Sequence, residues 1–415
     1  MIRSMSSALS GLRNHQLMLD VVGNDIANVS TIGFKSSSTV FADVLSQTLS
    51  GAGAPGGQTG GTNAAQIGLG SRLVATVQSF TQGALQRTGR PADVAIEGDG
   101  FFVVANGNEK FYTRAGAFDI DAAGNLVTPD GMLVQGWQAN MAGAINTNAA
   151  VGPVQIQVGE LLPPVQTSGV DLGGNLSADA AIGDAVTMTL TGYDEQGAAV
   201  PVNMTFTKTA ADQWTVTATA GNPAVDITAS LTDNVITFDG TGELTAPADR
   251  NINIAAAAIP GFPGAISLEL GDAGAPGRLT QYAGSSTAAI TNQNGSAAGS
   301  LQAFSVSPDG TIVGMYSNGR TKPIGQLALA VFTNPGGLER TAGVWRESPN
   351  SGLAQIGTAA AGGRGKISAG MLEMSNVDLA EEFTRLIVAQ RGFQGNARVV
   401  TTADEILQEV VNLRR

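Results

Sequence analysis

The chain has 415 residues, of which 43% are hydrophobic and only 13% charged, with 55 glycines and a formal net charge of −12. That length suits two or three domains with cores of their own, and the composition describes a folded, turn-rich β protein, not a disordered one. With no cysteine, and with Lys208, Arg250 and Arg278 the only basic residues between Gly131 and Ser300, it offers neither a disulfide framework, nor a thiolate metal site, nor the basic footprint of a nucleic-acid binder.

Ser4 to Val29 is predicted to be helical. Met5, Leu12, Leu19 and Ile26 recur every seventh residue, with Ile2, Leu9 and Gln16 as the companion line, and Ser4 or Ser6 stands where an N-cap is wanted. Gly11 and Gly23 interrupt this pattern at up to about 1 kcal/mol each relative to Ala, so the helix needs support from a neighbour. Met1 to Asp20 lacks the apolar core of a secretory signal, and no stretch reaches the roughly twenty apolar residues of a membrane span. On these grounds alone a soluble, cytoplasmic protein is expected. Ser36 to Ser71, centred on Gly51–Gly61, reads as a flexible linker in which Val40, Phe41, Val44 and Leu45 pin at most a short helical turn.

From Arg72 the pattern alternates with period two. Val94–Ile96 and Phe101–Val104 read as buried strands around a Gly98-Asp-Gly100 turn, followed by Tyr112–Phe118, Gly124–Gly131 and Leu133–Trp137. Residues 146 to 284 form a separate β region. Ala185–Thr191 and Val200–Thr207 alternate strictly around a turn at Asp194–Gly197, and Trp214, Val216 and Ala218 face one way on a third strand, as in a small antiparallel sandwich or barrel. Hairpin turns at Asp309-Gly310 and Asn318-Gly319 precede further strands to residue 370. The last segment is the longest helix. Leu379, Leu386, Phe393, Val400 and Leu407 keep one heptad register, the interleaved line is Phe383, Gln390, Ala397, Asp404 and Val411, and Asn376 or Ser375 is the expected N-cap.

Heptads at both ends with β sequence between them predict a coiled coil made from the two termini. The fold class is then mostly β with α-helical termini and two nested β domains. Residues 1–30 and 371–415 form the helical domain, 31–71 connect, 72–145 and 285–370 form a discontinuous inner β domain, and 146–284 form an inserted outer sandwich or barrel. Truncation to about Arg72–Gly365 is expected to leave a soluble β monomer.

No catalytic constellation accompanies this scaffold. The single histidine, His15, lies within the first helical pattern and reads as a flank residue of the coiled coil; no nucleophile elbow is present. Asp119, Asp121 and Asp130 match three positions of a calcium loop, but Ala123 fills a fourth and no helix precedes them, so a hairpin turn is expected. Neither Gly98-Asp-Gly100 nor Gly363-Arg-Gly-Lys366 has the spacing of a nucleotide loop. No enzyme, cofactor or metal is predicted.

Several stretches resemble a known family. Gly23-Asn-Asp-Ile-Ala-Asn-Val-Ser-Thr-Ile-Gly-Phe-Lys35 is similar to the N-terminal signature of the bacterial flagellar axial proteins (rod, hook and hook-associated proteins), with Asp25 where a second Asn is usual. Thr88–Val104, Tyr112–Phe118 and Gly124–Gly131 resemble β segments of the same family. Gln135-Gly136-Trp137, Phe393-Gln394 and Ala397-Arg398 resemble its hook members, where distal rod proteins carry Pro, Tyr-Glu and Ser-Lys. The matching positions are Asn24, Asn28, Gly33, Phe34, Lys35, Gly98, Gly100, Phe101, Phe102, Gln390, Arg391 and Asn396. The resemblance implies a homo-oligomeric hook subunit stacked in a curved hollow tube. It implies export through the flagellar type III apparatus without a cleaved signal. It also implies contacts with the distal rod, hook cap and hook–filament junction proteins, and neither nucleic-acid binding nor membrane insertion. The alternatives are a distal rod protein or, from another class, a β-rich extracellular adhesin with the helices as its stalk.

Overall fold

The computed structural model describes residues 2–55, 60–221, 223–259, 262–272 and 275–412. Two helices, α1 (Ile2–Ala27) and α2 (Leu379–Asn412), stand at the ends of a chain that is otherwise mostly strand. α1 begins before Ser4 and Ser6, which lie inside its first turns. α2 is capped by neither expected residue. Asp378 Oδ1 accepts the Ala380 and Glu381 amides at 2.8 and 3.3 Å, and Glu381 and Glu382 follow where the helix dipole favours negative charge. At about 1.5 Å per residue α2 is roughly 50 Å long.

The residues fall into two compact units. The first comprises Met1–Gln157, Phe304–Val313 and Pro323–Arg415, the second Val158–Ala303 and Gly314–Lys322.

In the first unit, strand Phe101–Asn106 pairs with Glu109–Thr113 on one side and Leu133–Gln138 on the other, and Val344–Arg346 and Glu339–Thr341 extend the sheet beyond Glu109–Thr113. The unbroken apolar run Phe101–Val104 is explained by burial on both faces. Phe101 and Val103 join Tyr112, Trp137, Phe332 and Trp345 in one core, while Phe102 meets Phe118 edge to face on the other side. Late strands close on early ones: Lys366–Ala369 pairs with Val94–Glu97, and Met371–Glu373 with Leu85–Arg87. Residues 146–157, expected in the insert, belong here, because Gly152–Pro153 pairs with Leu133–Gln138 and Trp137 Nε1 donates to Ala149 O at 2.9 Å.

The connecting segment is not a helical turn. Ser37–Asp43 pairs with Ser71–Gln78, and Ser46–Ser50 with Ala65–Gly68, as an antiparallel ribbon. Alternating Ser, Thr, Val and Leu on both arms favours extended backbone, and the two arms find each other only across the glycine-rich stretch, whose residues 56–59 lie outside the described ones.

The second unit has a six-stranded sheet led by Ala185–Tyr193, Ala199–Ala210 and Gln213–Ala220, all antiparallel, and a five-stranded sheet built on Gly169–Asn175. Their inner faces share one core, with Met204, Phe206, Trp214 and Val216 from the first sheet and Val170, Leu172, Ile252 and Leu268 from the second. It is not wholly antiparallel, since Gly169–Asn175 runs parallel to Ile266–Glu269 and Leu279–Thr280. Asp194 forms the expected turn, its Oδ1 accepting the Gln196 and Ala198 amides while Gly197 takes φ +82°.

Candidate assembly surface and the joint at its base

α1 and α2 pack antiparallel. A Cβ on Gly11 would stand 2.8 Å from the Asn396 carboxamide, and one on Gly392 would collide with the His15 ring. Four residues forward on α1 thus correspond to four back on α2. Continuing outward, Ser4 and Ala403 line one groove, and inward Val22 and Arg385 line another. The residues turned into this contact are small or polar: Ala8, Val22 and Asp25 are buried on α1, and Glu382, Ala389 and Ala403 on α2. Each glycine receives a side chain of the opposing helix, Asn396 over Gly11 and His15 over Gly392, which is why Gly11 is tolerated in a helix.

Among the described residues, none of the large apolar residues expected in the seam is fully buried there. Met5 and Leu9 on α1 and Leu379, Phe383 and Phe393 on α2 are exposed; Leu12, Leu19, Ile26, Leu386, Val400 and Leu407 are half-buried; the side chain of Val411 lies outside the described residues. Of the interleaved line, the polar Gln390 and Asp404 are exposed, as is the motif residue Arg391. The correction is a rotation of both helices about their axes. Heptad spacing was present, but small residues pack two helices more closely than Leu and Phe do, so Ala8, Gly11, His15, Val22 and Asp25 took the seam, themselves at spacings of three, four and seven.

The rotation leaves an apolar surface uncovered. Phe383 is 50% exposed and Ile387 56%, and Leu17, Val388, Val399 and Ile406 are exposed with them. The ribbon adds Val44, Leu49 and Ile67, with Leu45 at 67% exposure, and Ser46–Ser50 and Ala65–Gly68 bury none of their residues. Two strands with no apolar support are marginal in water, and this many exposed large apolar residues on the terminal helices and the ribbon point to interaction surfaces.

Below the helices lies a polar joint that carries most of the N-terminal motif. Asn28 Nδ2 donates to Asn24 O at 2.9 Å, closing the end of α1, and Thr31 Oγ1 donates to Asn28 Oδ1 at 3.0 Å. Gly33 takes φ +68° with its Cα facing the Ala115 amide, where a Cβ would come within 2.5 Å, and its N–H donates to Glu373 O. Phe34 is buried beneath the Arg340 guanidinium, 4.3 Å from the ring centroid. Lys35, 1% exposed, donates to Glu373 Oε1 at 2.6 Å and to Thr81 O at 2.7 Å, while Arg114 approaches Glu373 Oε2 at 3.4 Å and Gly83 N–H donates to Oε1. Burial pushes both cations down from their ordinary values, and Glu373 pulls both back up. Asn376, expected as a cap, instead accepts the Ser36 amide and donates to Ser79 O and Thr81 O. Glu373 and Arg114 were missed by sequence reasoning, which gave Asn376 a different role. The one available signal was a glutamate inside the apolar run Met371-Leu-Glu-Met374.

Gly98 and Gly100 take φ +104° and +131° at the turn before the core strand, and Gly98 faces the Gly365 backbone. Asp121 makes a side-chain-capped turn: its Oδ1 accepts the Ala123 and Asn125 amides at 2.8 Å, and its hydrogen bonds to Asn125 hold its carboxyl below the usual range. Among the described residues no cluster of carboxylates and histidine is arranged to hold a metal.

Three family descriptions match the chain: "Flagellar hook protein FlgE/F/G D1 domain" over residues 95–178, "Flagellar basal body protein FlaE D2 domain" over 177–296, and "Flagellar basal body rod FlgEFG protein C-terminal" over 368–413. The chain is 39% identical to the flagellar hook protein FlgE of Treponema pallidum, with all of both chains covered, and 36% identical to that of Salmonella typhimurium, covering 99% of this chain and 100% of the relative. It is 31% identical to the flagellar basal-body rod protein FlgG of Bacillus subtilis, again over the whole of both. Among solved structures it resembles the Helicobacter pylori flagellar hook protein FlgE2, with a TM-score of 0.53 at 14% identity, covering 70% of this chain and 100% of that one. Matches of this extent, on a chain with a helix at each end and β structure between, show that it belongs to the flagellar hook protein family.

Proposed function

We propose that this chain is the repeating structural subunit of the bacterial flagellar hook, polymerising into a curved hollow tube that works as a universal joint and carries motor torque to the filament. The observation that supports this reading most strongly is the set of uncovered large apolar residues on α1, α2 and the ribbon. Burying one such Leu, Ile or Phe contributes about 1.5–3 kcal/mol, so a handful of them against a neighbouring copy drives association.

In this reading the terminal helices form a two-stranded coiled coil with a small-residue seam, and the β domains are nested between them. Met5, Leu9, Phe383, Ile387 and Phe393 face other copies. The polymer lies on the cell exterior, adjoins the distal rod, the hook cap and the hook–filament junction proteins, and receives subunits exported by the flagellar type III apparatus without a cleaved signal peptide. The scaffold does mechanical work through its contacts, not catalysis.

Electron microscopy of the purified protein tests this. Wild type is expected to form tubes. The double variant Phe383→Asp, Ile387→Asp is expected to stay monomeric with an unchanged β circular-dichroism signal, and cells carrying it to lack hooks and motility. Normal hooks built from that variant would overturn the proposal.

A further inference from the structure

A carboxyl pair is buried where the base of α1 meets the start of α2. Asp25 is fully enclosed: its Oδ2 accepts the Ser37 amide at 2.8 Å, and its Oδ1 is buried with no hydrogen-bond partner. Glu382, 3% exposed, accepts Arg385 Nη1 on Oε1 at 2.9 Å, and its Oε2 is likewise buried without a partner. The helix register that sets Gly11 against Asn396 and His15 against Gly392 carries on to set Asp25 level with Glu382. Arg385, which lines one cavity with Val22 and Ser37, reaches across at the same level.

An enclosed carboxylate oxygen that accepts nothing is costly, and two of them on neighbouring carboxylates repel as well. Protonating one group removes the like-charge repulsion and supplies the enclosed pair with a donor. The surrounding charges lead to the same count. The groups facing the pair are Arg340 from strand Glu339–Thr341, and Arg385 and Glu381 from α2, so two guanidinium groups meet three carboxyls. One proton balances the cluster. Burial pushes Asp25 up from the ordinary carboxyl range despite the Ser37 amide and both arginines, and it pushes Glu382 up against Arg385, with the charges of Asp25 and Glu381 adding to the shift.

We propose that Asp25 and Glu382 hold one proton between them across the α1–α2 contact, so that the terminal helices pair more tightly in mildly acidic than in mildly alkaline solution. The paired state binds more protons than the separated one. The contribution is complete below the ordinary carboxyl value and is lost as pH rises through the raised value of the pair. The helices are thereby coupled to bulk pH without any histidine taking part.

Hydrogen exchange of α1 and α2 amides in the full-length chain, corrected for the intrinsic rate and followed from about pH 5 to about pH 8, reads this directly. The opening constant of the helix pair is expected to rise with pH, by up to about tenfold per pH unit where one proton is released. In Asp25→Asn and in Glu382→Gln that slope should flatten, because an amide keeps its donor at every pH. Infrared spectra give a second measurement: the wild type should show a protonated-carboxyl band that persists above the ordinary carboxyl range and that either substitution removes. A flat wild-type profile, a slope that survives in both variants, or the absence of such a band would overturn the proposal. If one variant fails to fold, the other and the infrared band still decide it. The pairing lies within one chain, so the measurements are made on unpolymerised protein, where assembly does not contribute to protection.

Discussion

Lys35, Glu373 and Arg114 show how much depends on whether an ion pair is wet or dry. Glu373 is 0% exposed and is the countercharge to two buried cations. Replacing it with Gln keeps the shape, but leaves Lys35 and Arg114 enclosed without their partner. The expected cost is about 3–5 kcal/mol in urea unfolding of the full chain. The Lys366–Glu97 pair is almost as short, 2.7 Å, but its lysine side chain is more than half exposed. Lys366→Ala should therefore cost less than about 1 kcal/mol, because solvent screens the attraction and the long side chain regains its freedom. Equal losses from the two substitutions would show that the joint is not dry. The sequence marked Lys35 by its motif, but it had no means of naming Glu373, hundreds of residues away, as its partner.

At the scale of elements, the helices are governed by what stands opposite each glycine. Gly23 faces open space, so Gly23→Ala should stabilise α1 by about 0.5–1 kcal/mol through helix propensity alone. Gly392 faces the His15 imidazole, so Gly392→Ala gains the same propensity yet drives a methyl into a ring that must be displaced from the contact, and the net sign is destabilising. Thermal melts followed by helical circular dichroism would separate the two. A stabilised Gly392→Ala would mean that the close approach at His15 does not hold. The same contrast explains the misplaced seam. A heptad of large residues signals a helix with an apolar stripe, but which stripe meets the partner depends on which side chains find room opposite, and Gly11 and Gly392 make that room for Asn396 and His15. The ribbon was missed for a related reason. Its arms carry strand propensity, but their pairing crosses the glycine-rich stretch and leaves no local mark.

For the whole molecule, the way late strands close on early ones decides which fragments can fold. Within the second unit, two sheets bury Trp214, Phe206, Val170 and Leu268 in a core of their own. A fragment of residues 158–303 is expected to fold as a β monomer with dispersed NMR amide signals. Residues 72–365, by contrast, lack the strand Lys366–Ala369, the countercharge Glu373 and the buried Lys35, so the truncation suggested by composition should aggregate. Extending it to residues 33–376 restores all three and should recover solubility. A well-folded 72–365 fragment would show that the joint contributes little to the β core.

The sequence by itself determined the family, the mostly β character between two terminal helices, the presence of a second β region, and most of the tight turns. These follow from local periodicity, turn chemistry and long ordered motifs, all of which can be read without knowing what touches what. Tertiary structure alone decided the rest: the small-residue seam of α1 and α2, the dry joint of Lys35, Arg114 and Glu373, the cap at Asp378, the ribbon, and the enclosed pair Asp25 and Glu382. Each is a competition between partners distant in sequence, settled by close packing and by desolvation. A window along the chain records neither.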